Sequence, residues 1–137
     1  MCGINMSQWK LRILKPGEKE VISNPSWDQI KSVLDHVDGY NLDNVSLFSD
    51  EAGDLMVAGG DEYNGIRLYY VSYYYDGYSE DLVNPSVSKK DEEHINITVQ
   101  KVGTDILKRY LVEYKDMIKA FKHFFETGEL TKDQEWE

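Results

Sequence analysis

Cysteine is almost missing from this chain: Cys2 is the only one in 137 residues. An internal disulfide and a cysteine-based metal site are therefore excluded, and the usage suits a reducing compartment. No run approaches the ~18 apolar residues needed to span a membrane. The first fifteen residues interleave Lys10, Arg12 and Lys15 with apolar positions and do not read as a signal peptide. Without an export signal, the sequons at Asn5, Asn44 and Asn96 read as chance matches. Internal repeats, low-complexity tracts and linker-like stretches are absent too, so residues 1–137 are expected to form one domain.

Basic charge is lacking where acid is dense. Residues 28–93 hold fifteen acids and four bases, and the whole chain carries a net charge of −10. Phosphate would be repelled by such a block, so neither nucleic acid nor an anionic membrane is an expected partner. Two uses remain: a solvated face that keeps the protein soluble, or a docking surface for a basic partner.

What is present is enough to build a core, with 41% apolar and 12% aromatic residues. Trp9, Leu11 and Ile13 alternate with Lys10 and Arg12, which predicts a half-buried strand. A loop is expected from Lys15 to Asn24. Ser26 and Gln29 form a capping box, with Asn24 before Pro25 an alternative cap one turn earlier. Trp27, Ile30, Val33, Leu34 and Val37 then make one helical stripe, stopped at Gly39.

A meander should follow. Val45–Phe48 and Leu55–Ala58 flank a hairpin connection, and the chain is expected to turn again after Gly59 and Gly60. Ile66–Tyr75 is apolar or aromatic on both faces, which places it centrally in a sheet. Residues 76–92 read as an acidic loop and His94–Gln100 as a strand with one wet face. Residues 106–112 suggest a short last strand. Met117, Ile118, Phe121, Phe124 and Phe125 stripe a second helix capped at Gly128. The order predicts an α+β fold, a single antiparallel sheet of about five or six strands with two main helices packed on it.

Few constellations carry chemistry. Gly59-Gly-Asp-Glu-Tyr63 nearly spells the diguanylate-cyclase signature, but the metal-binding and phosphate-binding segments of that family are missing upstream. Solvated acids on a glycine turn are the simpler reading. None of the three histidines sits at metal-ligand spacing from a carboxylate or another histidine. There is no Gly-x-Ser-x-Gly turn and no phosphate-binding glycine loop. Cys2 falls on a terminus expected to be mobile. No catalytic residue, metal or cofactor is expected. The tyrosines from Tyr69 to Tyr78 are the most unusual stretch. Strand alternation sends about half of them into the core and leaves Tyr73, Tyr75 and Tyr78 as candidate interface rings.

The pattern from residue 27 to 136 resembles the first immunity-protein family of bacterial polymorphic and contact-dependent toxin systems. The resemblance is carried by Trp27-Asp-Gln-Ile30 with Val33-Leu34 and Gly39, and by Val45-Ser-Leu47. It continues through Gly53-Asp-Leu-Met-Val57 with Gly59-Gly60, then Asn64-Gly65, and closes with Ala120, Phe121, Phe125, Gly128, Leu130 and Trp136. It implies a cytoplasmic antidote, not an enzyme, that binds and blocks a cognate toxin, commonly a nuclease. Gly59, Gly60, Gly128 and Trp136 would shape the fold. Partner contacts are expected at Asp61, Glu62, Tyr73, Tyr75, Tyr78, Glu80 and Asp81. Two alternatives stand beside it: an enzyme using the Gly59–Tyr63 turn on a nucleotide, and a module binding a small ligand among the tyrosines.

Overall fold

The computed structural model describes residues 8–15 and 17–137; Cys2 and the Asn5 sequon lie outside them. The chain forms an α+β fold. Its main antiparallel sheet runs β2-β1-β3-β4-β5-β6, with a short β9 also paired to β5. The strands are β1 (Lys10–Lys15), β2 (Glu18–Ser23), β3 (Asn44–Ser49), β4 (Gly53–Tyr63), β5 (Ile66–Tyr75), β6 (Tyr78–Asp81) and β9 (Leu111–Val112). Helices α1 (Trp27–Leu34) and α2 (Tyr114–Thr127) cover one face. A separate hairpin, β7 (His94–Val99) with β8 (Val102–Leu107), packs on the other. Among the described residues no helix is long and apolar enough to cross a membrane.

Pleating explains the two layers. Leu11, Ile13, Val45, Leu47, Leu55, Val57, Tyr69 and Val71 share the helix face and are buried against Ile30, Leu34, Met117, Ala120, Phe121 and Phe124. Rings knit the layers together: Trp9 lies 5.1 Å edge-on from Phe124, and Tyr73 meets the same ring at 5.8 Å. On the opposite face Leu68 and Leu111 are buried with Ile95 and Ile97 of the hairpin.

The predicted capping box is formed. Ser26 Oγ accepts from the Gln29 amide, and Gln29 Oε1 accepts from the Ser26 amide. Gly128 caps α2 in the left-handed region, its amide donating to the Phe124 carbonyl at 2.7 Å.

Several boundaries differ from the sequence expectation. The segment expected as a loop from Lys15 to Asn24 contains β2. It is an edge strand, and its polar Glu-Lys-Glu run gives no alternation because every residue of it but the half-buried Ile22 is exposed. Helix α1 ends at Leu34, before Gly39, although Val37 is still buried. The expected 76–92 loop contains β6 and the buried Leu82, Val83 and Asn84. Residues 106–112 divide into the end of β8, a short 3-10 turn and β9. The hairpin of β7 and β8 is a layer the single-sheet expectation did not contain.

Trp136 is held in place. It bridges Leu82 next to β6, flanked by mutual amide–carbonyl bonds between Asp81 and Glu137. Its indole Nε1–H donates to Thr131 Oγ1 at 3.3 Å, and its ring packs against the main core. Trp136→Ala should lower stability by about 2 kcal/mol, less than the roughly 3–5 of a fully buried aromatic. Thermal denaturation measures it, and an unchanged Tm would mean the ring contributes nothing.

Candidate functional site

The Gly59–Tyr63 segment is not a turn. Strand β4 runs through it with a bulge between Gly59 and Glu62, and the reversal comes later at Asn64-Gly65. Both glycines are buried at positive φ. A Cβ on Gly60 would lie 2.5 Å from the Val37 carbonyl oxygen, so glycine is what lets the α1–β3 connection pass so closely.

Asp61 accepts from both the Thr98 amide (2.9 Å) and the Thr98 hydroxyl (2.7 Å), fastening β7 to β4. Arg67 donates to the Gly60 carbonyl at 2.8 Å. The buried Asp43 adds a second fastening, accepting from the Lys101 amide at the hairpin tip. Glu62 is exposed. Nothing in this arrangement leaves the glycines free to approach a nucleotide, and no group of three metal-ligating side chains occurs among the described residues.

The other candidates lie at the opposite end of β5, roughly 25 Å away at about 3.3 Å per residue. There the β5–β6 hairpin turns at Asp76-Gly77, pairing Tyr73 with Glu80 and Tyr75 with Tyr78. Tyr75 is 46% exposed and Tyr78 54%. The Glu80 carboxylate beside Tyr78 raises the pKa of its hydroxyl. Tyr73 is not an interface ring: its hydroxyl donates to the Ala52 carbonyl at 2.7 Å and its ring edges Phe124. Asp81 is likewise engaged within the fold, accepting from the Tyr70 hydroxyl at 2.8 Å. Burial first, then this carboxylate, pushes the Tyr70 pKa well above its ordinary value.

Of the seven residues expected to meet a partner, Tyr75, Tyr78 and Glu80 are brought together. Glu62 stands apart on the surface, and Asp61, Tyr73 and Asp81 hold the fold. The structure adds others that sequence reasoning missed. Consecutive antiparallel pairing sets the β3–β4 turn beside the β5–β6 turn, with an open hollow of about 540 Å³ between them. Asp50, Asp54 and Asp76 line it with Phe48, Tyr74 and Tyr75. The Asp76-Gly77 dipeptide, a strong hairpin signal between strand-like runs, was the clue that would have placed this second turn.

No protein-family model, curated protein or solved structure matches this chain. At this sheet end exposed aromatic rings and carboxylates lie side by side. The Asp61 fastening is testable without a partner. Asp61→Ala leaves the Thr98 amide and hydroxyl without their acceptor, which should cost about 1–3 kcal/mol. Hydrogen exchange at the Thr98 amide should speed up more than exchange in β3. Unchanged protection there would show that the carboxylate does not hold the hairpin.

Proposed function

We propose that this protein is an immunity protein that binds a cognate bacterial toxin in the cytoplasm and covers its active cleft, the toxin being a basic, nuclease-type domain. The observation that carries this reading is the surface at the 50–53 and 76–77 turns. Exposed Tyr74, Tyr75 and Tyr78 stand there among Asp50, Asp76 and Glu80. Tyrosine gives large contact area with little rotamer entropy to lose, and carboxylates set the sign of the partner's charge. A nuclease cleft is basic because it must grip phosphate, so an acidic rim competes for the same groups. The resemblance of residues 27–136 to the immunity family points the same way, and no chemistry is asked of the protein.

The expected kinetics follow from the geometry. Reversing Asp50, Asp76 and Glu80 to Lys should slow association with the toxin and flatten its dependence on salt. Screening already acts over about 8 Å at physiological ionic strength. Tyr75→Ala or Tyr78→Ala should act on the dissociation rate, by about 2 kcal/mol or roughly thirtyfold where the ring is a central anchor. Binding the product of the adjacent toxin gene over several salt concentrations checks both. Association that ignores salt and the three reversals would reduce the acids to a solubility face.

A further inference from the structure

Strand β2 ends the main sheet: β1 lies on one side of it, and no strand of the described residues lies on the other. Its hydrogen-bonding direction follows from the register. The Asn24 amide donates to the Trp9 carbonyl at 2.8 Å, so the pairs that exchange bonds with β1 recur at every second step from there. They are Leu11 with Ile22, Ile13 with Glu20 and Lys15 with Glu18. The backbone groups of Lys19, Val21 and Ser23 therefore point outward from the edge.

A groove of about 460 Å³ lies along the same strand on the helix face. Glu20 and Ile22 line it from β2, and Val33 and His36 from α1. Ile13 and Leu42 complete an apolar floor with Ile22 and Val33, both of which are only partly buried. An open edge beside a groove that separates it from a helix has the two parts of a strand-addition site. Main-chain bonds hold an extended segment, and alternate side chains enter the groove.

The side chains of β2 select that segment. Ile22 and Glu20 pair with the core-facing Leu11 and Ile13, so Glu18, Glu20 and Ile22 stand on the groove side and Lys19, Val21 and Ser23 on the other. Lys15 reaches Glu20 at 3.6 Å, but the pair is exposed and easily exchanged. A residue opposite Ile22 gains most by being apolar, and residues opposite Glu20 and Glu18 gain most by being basic. A second copy of the chain does not meet this requirement. A twofold axis at Lys19 or Glu20 sets like charges opposite each other, and one at Val21 sets Glu20 against Ile22 twice.

We propose that the β2 edge is a second recognition surface, which takes an extended basic segment of a partner protein as an added antiparallel strand. An apolar residue of that segment lies opposite Ile22, with Lys or Arg opposite Glu20 and Glu18. This edge is across the sheet from Tyr75, Tyr78 and Glu80, and it does not rest on the toxin-binding reading.

The probe is the peptide acetyl-Thr-Leu-Thr-Lys-Glu-Lys-amide, whose residues in order face Ser23 back to Glu18. Titrated into the full chain to about 10 mM and followed by amide NMR, it should bind saturably. Hydrogen exchange should slow at Lys19, Val21 and Ser23 and stay as it was at Glu20 and Ile22. The charge-reversed peptide, acetyl-Thr-Leu-Thr-Glu-Lys-Glu-amide, should bind at least about fivefold more weakly. Val21→Pro removes an outward N–H that β1 does not use and should abolish binding. Replacing both Glu18 and Glu20 by Lys should invert the preference between the peptides. Both positions are exposed, so this variant should melt close to wild type and decides the matter even if the proline variant unfolds. Absence of saturable binding, equal affinity for the two peptides, protection that does not alternate along β2, or an unchanged preference in the double variant would each overturn the proposal. Protection of the three outward amides that grows with protein concentration alone would overturn it too, because the edge would then belong to a second copy.

Discussion

Strand β5 has to be covered on both faces, and most of the architecture follows from that. Tyr69 and Val71 face one way; Leu68, Tyr70 and Ser72 face the other. A strand of this composition is stable only between two layers. Helices α1 and α2 supply one, bringing Phe121 and Phe124 down on the sheet. The β7–β8 hairpin supplies the other with Ile95 and Ile97. The hairpin is short, however, and covers only the half of that face nearest Gly59. The rest of that face carries Arg12, Asp54 and Tyr74, while Tyr75, Tyr78 and Glu80 stand on the helix side at the same sheet end.

That layer depends in turn on how tightly it is fastened. Gly59 has no side chain, and a Cβ there would stand 3.0 Å from Ile97, so the hairpin can lie directly on β4. Asp61 and Asp43 then tie the tip of the hairpin through the Thr98 and Lys101 backbone amides. The Gly-Gly-Asp sequence that suggests nucleotide chemistry is accounted for by packing and hydrogen bonding.

Much of this was legible in the sequence, and the failures have a common cause. Elements with a strong apolar period were readable: the stripe of α2, the capping box of α1, and the two-sided β5. Elements whose stability comes from neighbours were not. Strand β2 is polar because an edge strand needs little core, and β6 is four residues held by β5 on one side. Leu82, Val83 and Asn84 were buried in what read as a loop because the segment around Trp136 lies against them, a contact over fifty residues away in sequence. The site suffered in the same way. Tyrosine alternation correctly divided core from surface in principle. It groups Tyr73 with Tyr69 and Val71, and Phe124 and the Ala52 carbonyl extend the core along that face as far as Tyr73, which takes it out of the expected interface.

Charge counting met the same limit, and the consequence bears on mechanism. The acids of residues 28–93 look alike in sequence, yet the fold divides them into two populations. Asp38, Asp43, Asp61 and Asp81 accept from backbone amides or from hydroxyls within the molecule, and their charge is largely committed to loops and layers. Asp50 and Asp76 sit on the turns that rim the hollow. A partner approaching that sheet end meets Asp50, Asp76 and Glu80 beside exposed tyrosines, while other exposed acids such as Glu62 and Glu92 lie elsewhere on the chain. A few carboxylates at one place steer an approaching basic surface better than many spread evenly, since screening removes the contribution of distant ones. Specificity then has to come from short-range fit. The exposed rings of Tyr75 and Tyr78 beside Glu80 are the parts of that end able to supply it.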